Sequence, residues 1–303
     1  MIELTSLTKD YRRIRAVDEL TATIEPGYVT GFLGPNGAGK STTMRMIVGL
    51  DRPTSGTATV LGKLYRDLKD PMRHVGALLD ARQLYPNRTA RAHLRWLAAT
   101  TSIPAARIDE VLESVGLTEV ADRPAGSFSL GMAQRLGIAV ALLGDPEVLL
   151  FDEPVNGLDP EGIRWIRTLM RELAAQGRTV LVSSHLLAEM AHTADRLLVI
   201  GRGRLIASTT MTEFLADSGI GTVRVRSPQS GRLAELLGAR GASVQREDDT
   251  LLVQGIEIEA VGQLAAEHRL TLHELSTRQA SLEEAYLRMT EDAVDYRAAG
   301  ARS

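Results

Sequence analysis

Apolar and polar positions along this 303-residue chain follow two rhythms. Short apolar blocks at 28–33, 57–61, 74–79, 148–151, 179–183 and 197–200 read as strands. The stretches 89–101, 105–116 and 130–143 carry apolar residues at three- and four-residue spacing and read as helices, and 43–50, 161–176 and 185–194 read as helices that follow strands. Residues 1–33 read as short strands joined by turns, one of them at Pro26-Gly27. From 148 to 200 strand and helix alternate, which implies a parallel sheet covered by helices. The helical block 85–144 then reads as an insertion between two halves of an α/β core.

Beyond about residue 220 the pattern changes. Residues 222–290 run strand, helix, strand, strand, helix, strand, the order of a ferredoxin-like split βαβ unit and so a small α+β domain. Glu247-Asp248-Asp249 supplies its middle turn, and Ser281 caps a last helix. The tail from Glu291 is expected to be frayed or disordered. The expected division is therefore a domain at 1–220, with its helical insertion at 85–144, and an accessory domain at 221–303.

Composition narrows the chemistry. Lys+Arg is 35 and Asp+Glu is 38, a net charge of −3, which provides no electrostatic case for nucleic acid as a partner. Cys is 0, so disulfides and thiol nucleophiles are excluded. The longest apolar run, from Leu136 to Gly144, is too short to span a bilayer and reads as a buried helix. The amino end alternates like a strand and lacks a signal-peptide pattern.

The most specific chemistry lies at Gly34-Pro35-Asn36-Gly37-Ala38-Gly39-Lys40-Ser41-Thr42, between a strand and a helix. This is a phosphate-binding loop of the form G-x-x-x-x-G-K-[ST]. Its glycines stand where backbone amides turn inward around phosphate oxygens. Lys40 supplies charge for the β- and γ-phosphates, the Ser41 hydroxyl is a magnesium ligand, and Thr42 lies at the first turn of the helix. ATP with Mg2+ is the expected ligand pair. A second constellation, Val148-Leu149-Leu150-Phe151-Asp152-Glu153, is an apolar strand ending in two carboxylates. Asp152 suits magnesium, directly or through water, and Glu153 suits a general base that polarises a water aimed at the γ-phosphate.

These motifs resemble the nucleotide-binding subunit of an ABC transporter. Phe128-Ser129-Leu130-Gly131-Met132-Ala133-Gln134-Arg135 occupies the place of that family's signature, Asn156-Gly157-Leu158-Asp159 that of its D-loop, and Ser183-Ser184-His185 that of its switch histidine. Together they cover about 1–210. The SLGM form of the signature, the helical-block start Tyr85-Pro86-Asn87-Arg88-Thr89-Ala90-Arg91, and the appended domain are similar to bacterial drug and antibiotic self-resistance exporters of the daunorubicin and bacitracin types.

The resemblance implies an ABC-type P-loop NTPase core with an antiparallel β subdomain and a helical insertion. It implies that Tyr11 stacks on adenine with Val17 as a second apolar contact. Asp80 stands where the family's commonest residue is a glutamine touching magnesium and the attacking water. An ionised carboxylate there binds hard magnesium but donates no hydrogen bond. Ser129 and Gly131 are expected to face the γ-phosphate of a second copy, though Ser129 also reads as a helix cap. Asp159 is expected at the dimer seam, and also reads as a cap before Pro160. His185 is expected to touch the γ-phosphate.

The implied activity is an ATPase that closes as a dimer around two ATP and drives a separate integral-membrane permease, exporting a drug or other hydrophobic compound. Its place is then the cytoplasm, peripheral on the inner face of the membrane. The rival is a soluble ATPase of the same superfamily acting on ribosomes or DNA. Soluble translation factors of that kind carry two cassettes and the DNA-repair relatives carry long coiled-coil insertions, whereas here there is one cassette and no such insertion. A nucleotide sensor without catalysis is opposed by the presence of Lys40, Asp152, Glu153 and His185 together.

Overall fold

In the computed structural model the described residues are 1–80, 84–185, 187–217, 222–247 and 249–278. Asp248 of the middle turn, Ser281 with its helix, and the tail from Glu291 lie outside them. The chain divides at Thr209/Thr210 into two compact units.

The first unit opens with two long strands, β1 (Ile2–Tyr11) and β2 (Ile14–Ile24). Then come β3 (Val29–Leu33), α1 (Lys40–Ile47), β4 (Ser55–Val60) and β5 (Val75–Leu78). The helical block holds α2 (Ala90–Thr100), α3 (Ala106–Ser114) and α4 (Leu130–Leu142). After it follow β6 (Val148–Asp152), α5 (Pro160–Ala175), β7 (Thr179–Ser184), α6 (Leu187–Ala191), β8 (Arg196–Gly201) and β9 (Arg204–Thr210).

Two sheets form. One is antiparallel, in the order β2-β1-β4. The other has the order β5-β6-β7-β3-β8-β9, and its pairs β5/β6, β6/β7, β7/β3 and β3/β8 are parallel. Strands β3 and β7 are buried at every residue, which is why they read as continuous apolar blocks. Phe32 of β3 and Phe151 of β6 are among the largest side chains fully removed from water.

Helix starts follow local chemistry. Thr89 accepts from the Ala92 amide at 3.1 Å to open α2, and Ser129 accepts from the Met132 amide at 3.2 Å to open α4. Asp159 accepts from the Gly162 amide at 2.7 Å, with Pro160 at the first position of α5. The structure departs from the sequence reading at several places, the first being the division at Thr209/Thr210 rather than at 220/221, which puts α7 in the second unit. Strands β1 and β2 are ten and eleven residues long rather than short. Helix α1 begins at Lys40, inside the phosphate loop, because the last glycine of the loop already serves as its cap. Strand β9 was not marked by any apolar block: its mixed, half-exposed residues lie at the edge of the sheet.

The second unit begins with α7 (Met211–Asp217). It continues with β10 (Thr222–Arg226), α8 (Ser230–Ala239), β11 (Ser243–Glu247), β12 (Thr250–Gln254), α9 (Ile258–Glu267) and β13 (Glu274–Arg278). Its sheet is antiparallel in the order β11-β12-β10-β13, the ferredoxin-like arrangement. Val223, Val225, Leu251 and Val253 alternate onto one face and pack on Leu233, Leu237, Val261 and Leu264 of the two helices. Leu233 is fully buried there. Leu233→Ala is therefore expected to cost about 2–5 kcal/mol, measured as a lower midpoint in urea denaturation; an unchanged midpoint contradicts the packing.

Candidate functional site

The site is assembled by strand register. Leu33 of β3 pairs with Ser184 of β7, and Asp152 of β6 pairs with Ser183. Parallel strands all point the same way, so the residues that follow them leave from one edge of the sheet. Gly34, Glu153 and His185 are therefore neighbours although they are far apart in sequence.

At that edge lies a cavity of about 190 Å³ lined by Ala16, Asn36, Gly37, Gly39, Lys40, Ser41, Thr42 and Glu153. The amides that open α1 have no carbonyl one turn before them, and they face this space with the positive end of the helix. Gly39 is at φ +106°, and a Cβ there would stand 2.5 Å from the Ala16 carbonyl oxygen. No other residue type fits that position without strain. Pro35 accepts from the Ala38 amide at 3.1 Å, and Ala38 is itself buried.

Lys40 is only 6% exposed. Its Nζ donates to the carbonyls of Gly34 at 2.7 Å and Pro35 at 3.3 Å, and lies 3.8 Å from Glu153 Oε1. Loss of water lowers the Lys40 pKa, while the Glu153 and Asp152 carboxylates pull it back. The other Glu153 oxygen, Oε2, is 2.7 Å from His185 Nδ1. Asp152 Oδ1 accepts from the Ser183 hydroxyl at 2.5 Å. Among the described residues no group of three His, Cys, Asp or Glu could hold a metal by itself. Ser41 and Asp152 are hard oxygen donors, the set that suits Mg2+ when phosphate oxygens complete its shell, so the residues present fit that ion.

The remaining expected residues are distributed as follows. Tyr11 lies on the rim: its hydroxyl donates to Asp51 Oδ2 at 2.7 Å and also meets the Thr42 side chain, and the residue is 43% exposed. Partial burial, followed by the Asp51 carboxylate, raises its phenol pKa. Val17 differs from expectation. It is fully buried in the core, packed beneath Gly39, and Ala16 lines the cavity in its place. A strand alternates its faces, so one residue's shift exchanges the core for the cavity. Asp80 is exposed at the end of β5 and lines a separate cavity of about 330 Å³ with Leu50, Leu79, Leu84, His93 and Val140, not the phosphate cavity.

Ser129, Gly131 and Asp159 also lie outside the phosphate cavity of their own chain. Ser129 and Asp159 are exposed and act as the helix caps described above. The start of α4 packs on the D-loop: a Cβ on Gly131 would stand 2.9 Å from the Gly157 carbonyl oxygen.

Sequence reading gave no individual role to Ala16, Ser183, Gln134 or Glu189, although Gln134 and Ser183 lie within the signature and switch-histidine motifs. Gln134 is 4% exposed and sends Nε2 to the Glu153 carbonyl oxygen at 3.4 Å. Among the described residues Glu189 has a buried Oε2 without a hydrogen-bond partner; burial raises its pKa, Arg167 opposes and Glu153 adds to the rise. The available signals were a serine ending an apolar strand and a glutamine on a helix of otherwise apolar character.

Comparison with known proteins places this geometry. A sequence family described as "ABC transporter" matches residues 17–156, and one described as a domain of unknown function matches 221–283. The bacitracin transport ATP-binding protein BcrA of Bacillus licheniformis is 44% identical over 209 residues, 68% of each chain. The daunorubicin/doxorubicin resistance ATP-binding protein DrrA of Streptomyces peucetius is 34% identical over 311 residues, covering 98% of this chain and 94% of that one. The dimeric post-hydrolysis structure of the ATP-binding cassette MJ0796, bound to ADP and Pi, superposes with a TM-score of 0.65 at 26% identity, over 70% of this chain and 99% of that one.

Gly39→Ala forces both a left-handed φ and a collision with Ala16, and is expected to cost about 1–3 kcal/mol. The check is a urea titration; unchanged stability contradicts the described loop.

Proposed function

The chain belongs to the ABC transporter ATP-binding family, and on that premise we propose that it hydrolyses ATP to drive a separate integral-membrane permease. The observation that carries this reading is one cavity shared by a phosphate loop and Glu153, with His185 at 2.7 Å from the same carboxylate. The amides at the start of α1 and the Lys40 ammonium bind the β- and γ-phosphates. Glu153 draws the proton from a water aimed at the γ-phosphorus, and His185 orients that water and the phosphate. Ser41 and Asp152 would hold Mg2+, which when bound neutralises charge on the phosphate oxygens. Tyr11 offers a ring face at the rim for adenine, with Ala16 rather than Val17 in the cavity wall.

A second copy of the chain completes each site. Ser129, Gly131 and Asp159 stand away from their own chain's cavity, and Ser129, Leu130 and Asp159 are exposed, as groups meant for a partner must be. Closure of the pair buries two ATP, and hydrolysis reopens it. The dimeric post-hydrolysis structure of MJ0796 supports this assembly. The unit that ends at Thr209 acts as the nucleotide-binding domain, and the unit that begins at Thr210 as an accessory domain.

Among the described residues no helix is long and apolar enough to cross a membrane, so the transmembrane step is assigned to another chain. The docking place is the groove at Asp80. Beside it Tyr85 and Trp96 are 56% and 45% exposed, with the Arg88 guanidinium 4.6 and 4.9 Å from the two ring centroids. Relatives named for bacitracin transport and daunorubicin resistance support export of a drug or other hydrophobic compound. The chain then works peripherally on the cytoplasmic face of the membrane.

Glu153→Gln is expected to slow ATP hydrolysis by roughly 10²–10⁴-fold with ATP still bound, read by phosphate release and nucleotide titration. Full turnover rules out the base role. Lys40→Ala is expected to weaken ATP binding by at least about tenfold through loss of a charge-assisted contact; unchanged affinity rules out the cradle. Pull-down from solubilised membranes recovers a polytopic hydrophobic partner if transport is the function, whereas recovery of ribosomes assigns the ATPase a soluble role.

A further inference from the structure

Glu153 occupies a conformation that its residue type does not choose. Its φ is +50°, in the left-handed region where a side chain other than glycine's is strained. Such a backbone persists only when its surroundings hold it, and here both ends of the residue are held. The Glu153 amide donates to Ser183 Oγ at 2.9 Å. The same hydroxyl spends its one proton on Asp152 Oδ1. From the other side Gln134 Nε2 approaches the Glu153 carbonyl oxygen at 3.4 Å. Ser183 is fully buried and Gln134 nearly so, which removes competing water.

The alternative is that each polar group merely satisfies itself in the interior. Ser183 argues against that. A buried strand serine can return its proton to a nearby carbonyl, yet this one bridges two consecutive residues, both bearing carboxylates. Gln134 lies one turn beyond Gly131 on α4, the helix that Ser129 opens, and the carbonyl it addresses belongs to the same glutamate.

We propose that Ser183 and Gln134 are positioning residues that clamp the Glu153 peptide from β7 and from α4 and so set the aim of its carboxylate into the phosphate cavity. The proposal rests on the reading of Glu153 as the base. It adds a link within one subunit: α4 carries at its start the groups offered to a second copy's nucleotide, and one turn later a group that holds its own chain's base. A shift of α4 on closure therefore reaches the Glu153 peptide directly.

The test is single-turnover and steady-state ATP hydrolysis by the full chain with Mg2+. Fluorescent-nucleotide binding without Mg2+ and a thermal melt are measured on the same samples. Ser183→Ala and Gln134→Leu are each expected to lower kcat about 10–100-fold, the scale of a small misplacement of a catalytic group. KM and nucleotide affinity stay within about twofold, because neither residue contacts the ligand. Ser183→Thr, which keeps the hydroxyl, restores most of the rate. Placed on Glu153→Gln, neither change lowers the residual rate further, because a clamp with no base to aim has no effect.

Losses that multiply with that of Glu153→Gln, or that appear in KM instead of kcat, overturn the clamp. So does a wild-type rate in both single variants while Glu153→Gln is slow, and in that case the base reading survives. A fast Glu153→Gln overturns the base reading and the clamp with it. If Ser183→Ala fails to fold, Gln134→Leu decides by the same readouts.

Discussion

A buried ammonium has to be surrounded by oxygen, and the site is organised around that requirement. Lys40 is nearly removed from water, and the loss of hydration lowers its pKa. Two loop carbonyls and the Glu153 carboxylate take the place of water. The loop must then curl tightly enough to aim its own carbonyls at its own lysine, while its residues and the lysine line one cavity. The same backbone thus presents oxygen to the cation and N–H groups to an anion. A triphosphate entering the cavity meets both the free amides and an ammonium whose charge it supports.

The second constraint is the strand register. Two neighbouring parallel pairings, β6/β7 and β7/β3, bring the ends of β3, β6 and β7 to one line. Phosphate grip, carboxylate pair and histidine each follow a different strand, and only the shared direction of those strands makes them a site. Buried strand ends are rigid, because β3 and β7 are packed on both faces. Rigidity matters for the proposed role of Glu153, since a general base loses its effect with small displacements.

The caps of α4 and α5 satisfy their own helices and leave room for the proposed second role. Ser129 and Asp159 satisfy amides of their own helices, yet both remain exposed. A capping side chain keeps lone pairs free for another donor. Local helix chemistry and an offer to a second copy are therefore compatible in the same atoms. The close approach of Gly131 to the Gly157 carbonyl ties these two surfaces together.

What the sequence determined by itself was everything written in consecutive residues. The glycine spacing around Lys40 spells the loop, apolar blocks mark the buried strands, and the caps at Thr89, Ser129 and Asp159 start their helices, because a turn, a cap or a strand face is decided by the nearest few residues. What only the tertiary structure decided was which side of a strand faces the ligand and which distant groups meet. Val17 and Ala16 are adjacent, and no local rule says which of them goes to the core. Asp80 leaves its strand into a groove of its own, and the edge strand β9 has no apolar block to announce it. Ser183, Gln134 and Glu153 come from three elements, and their contact exists only because β6 lies beside β7 and α4 packs nearby. Those meetings are set by long-range pairing, whose energy is shared over whole strands and cannot be read at any one position.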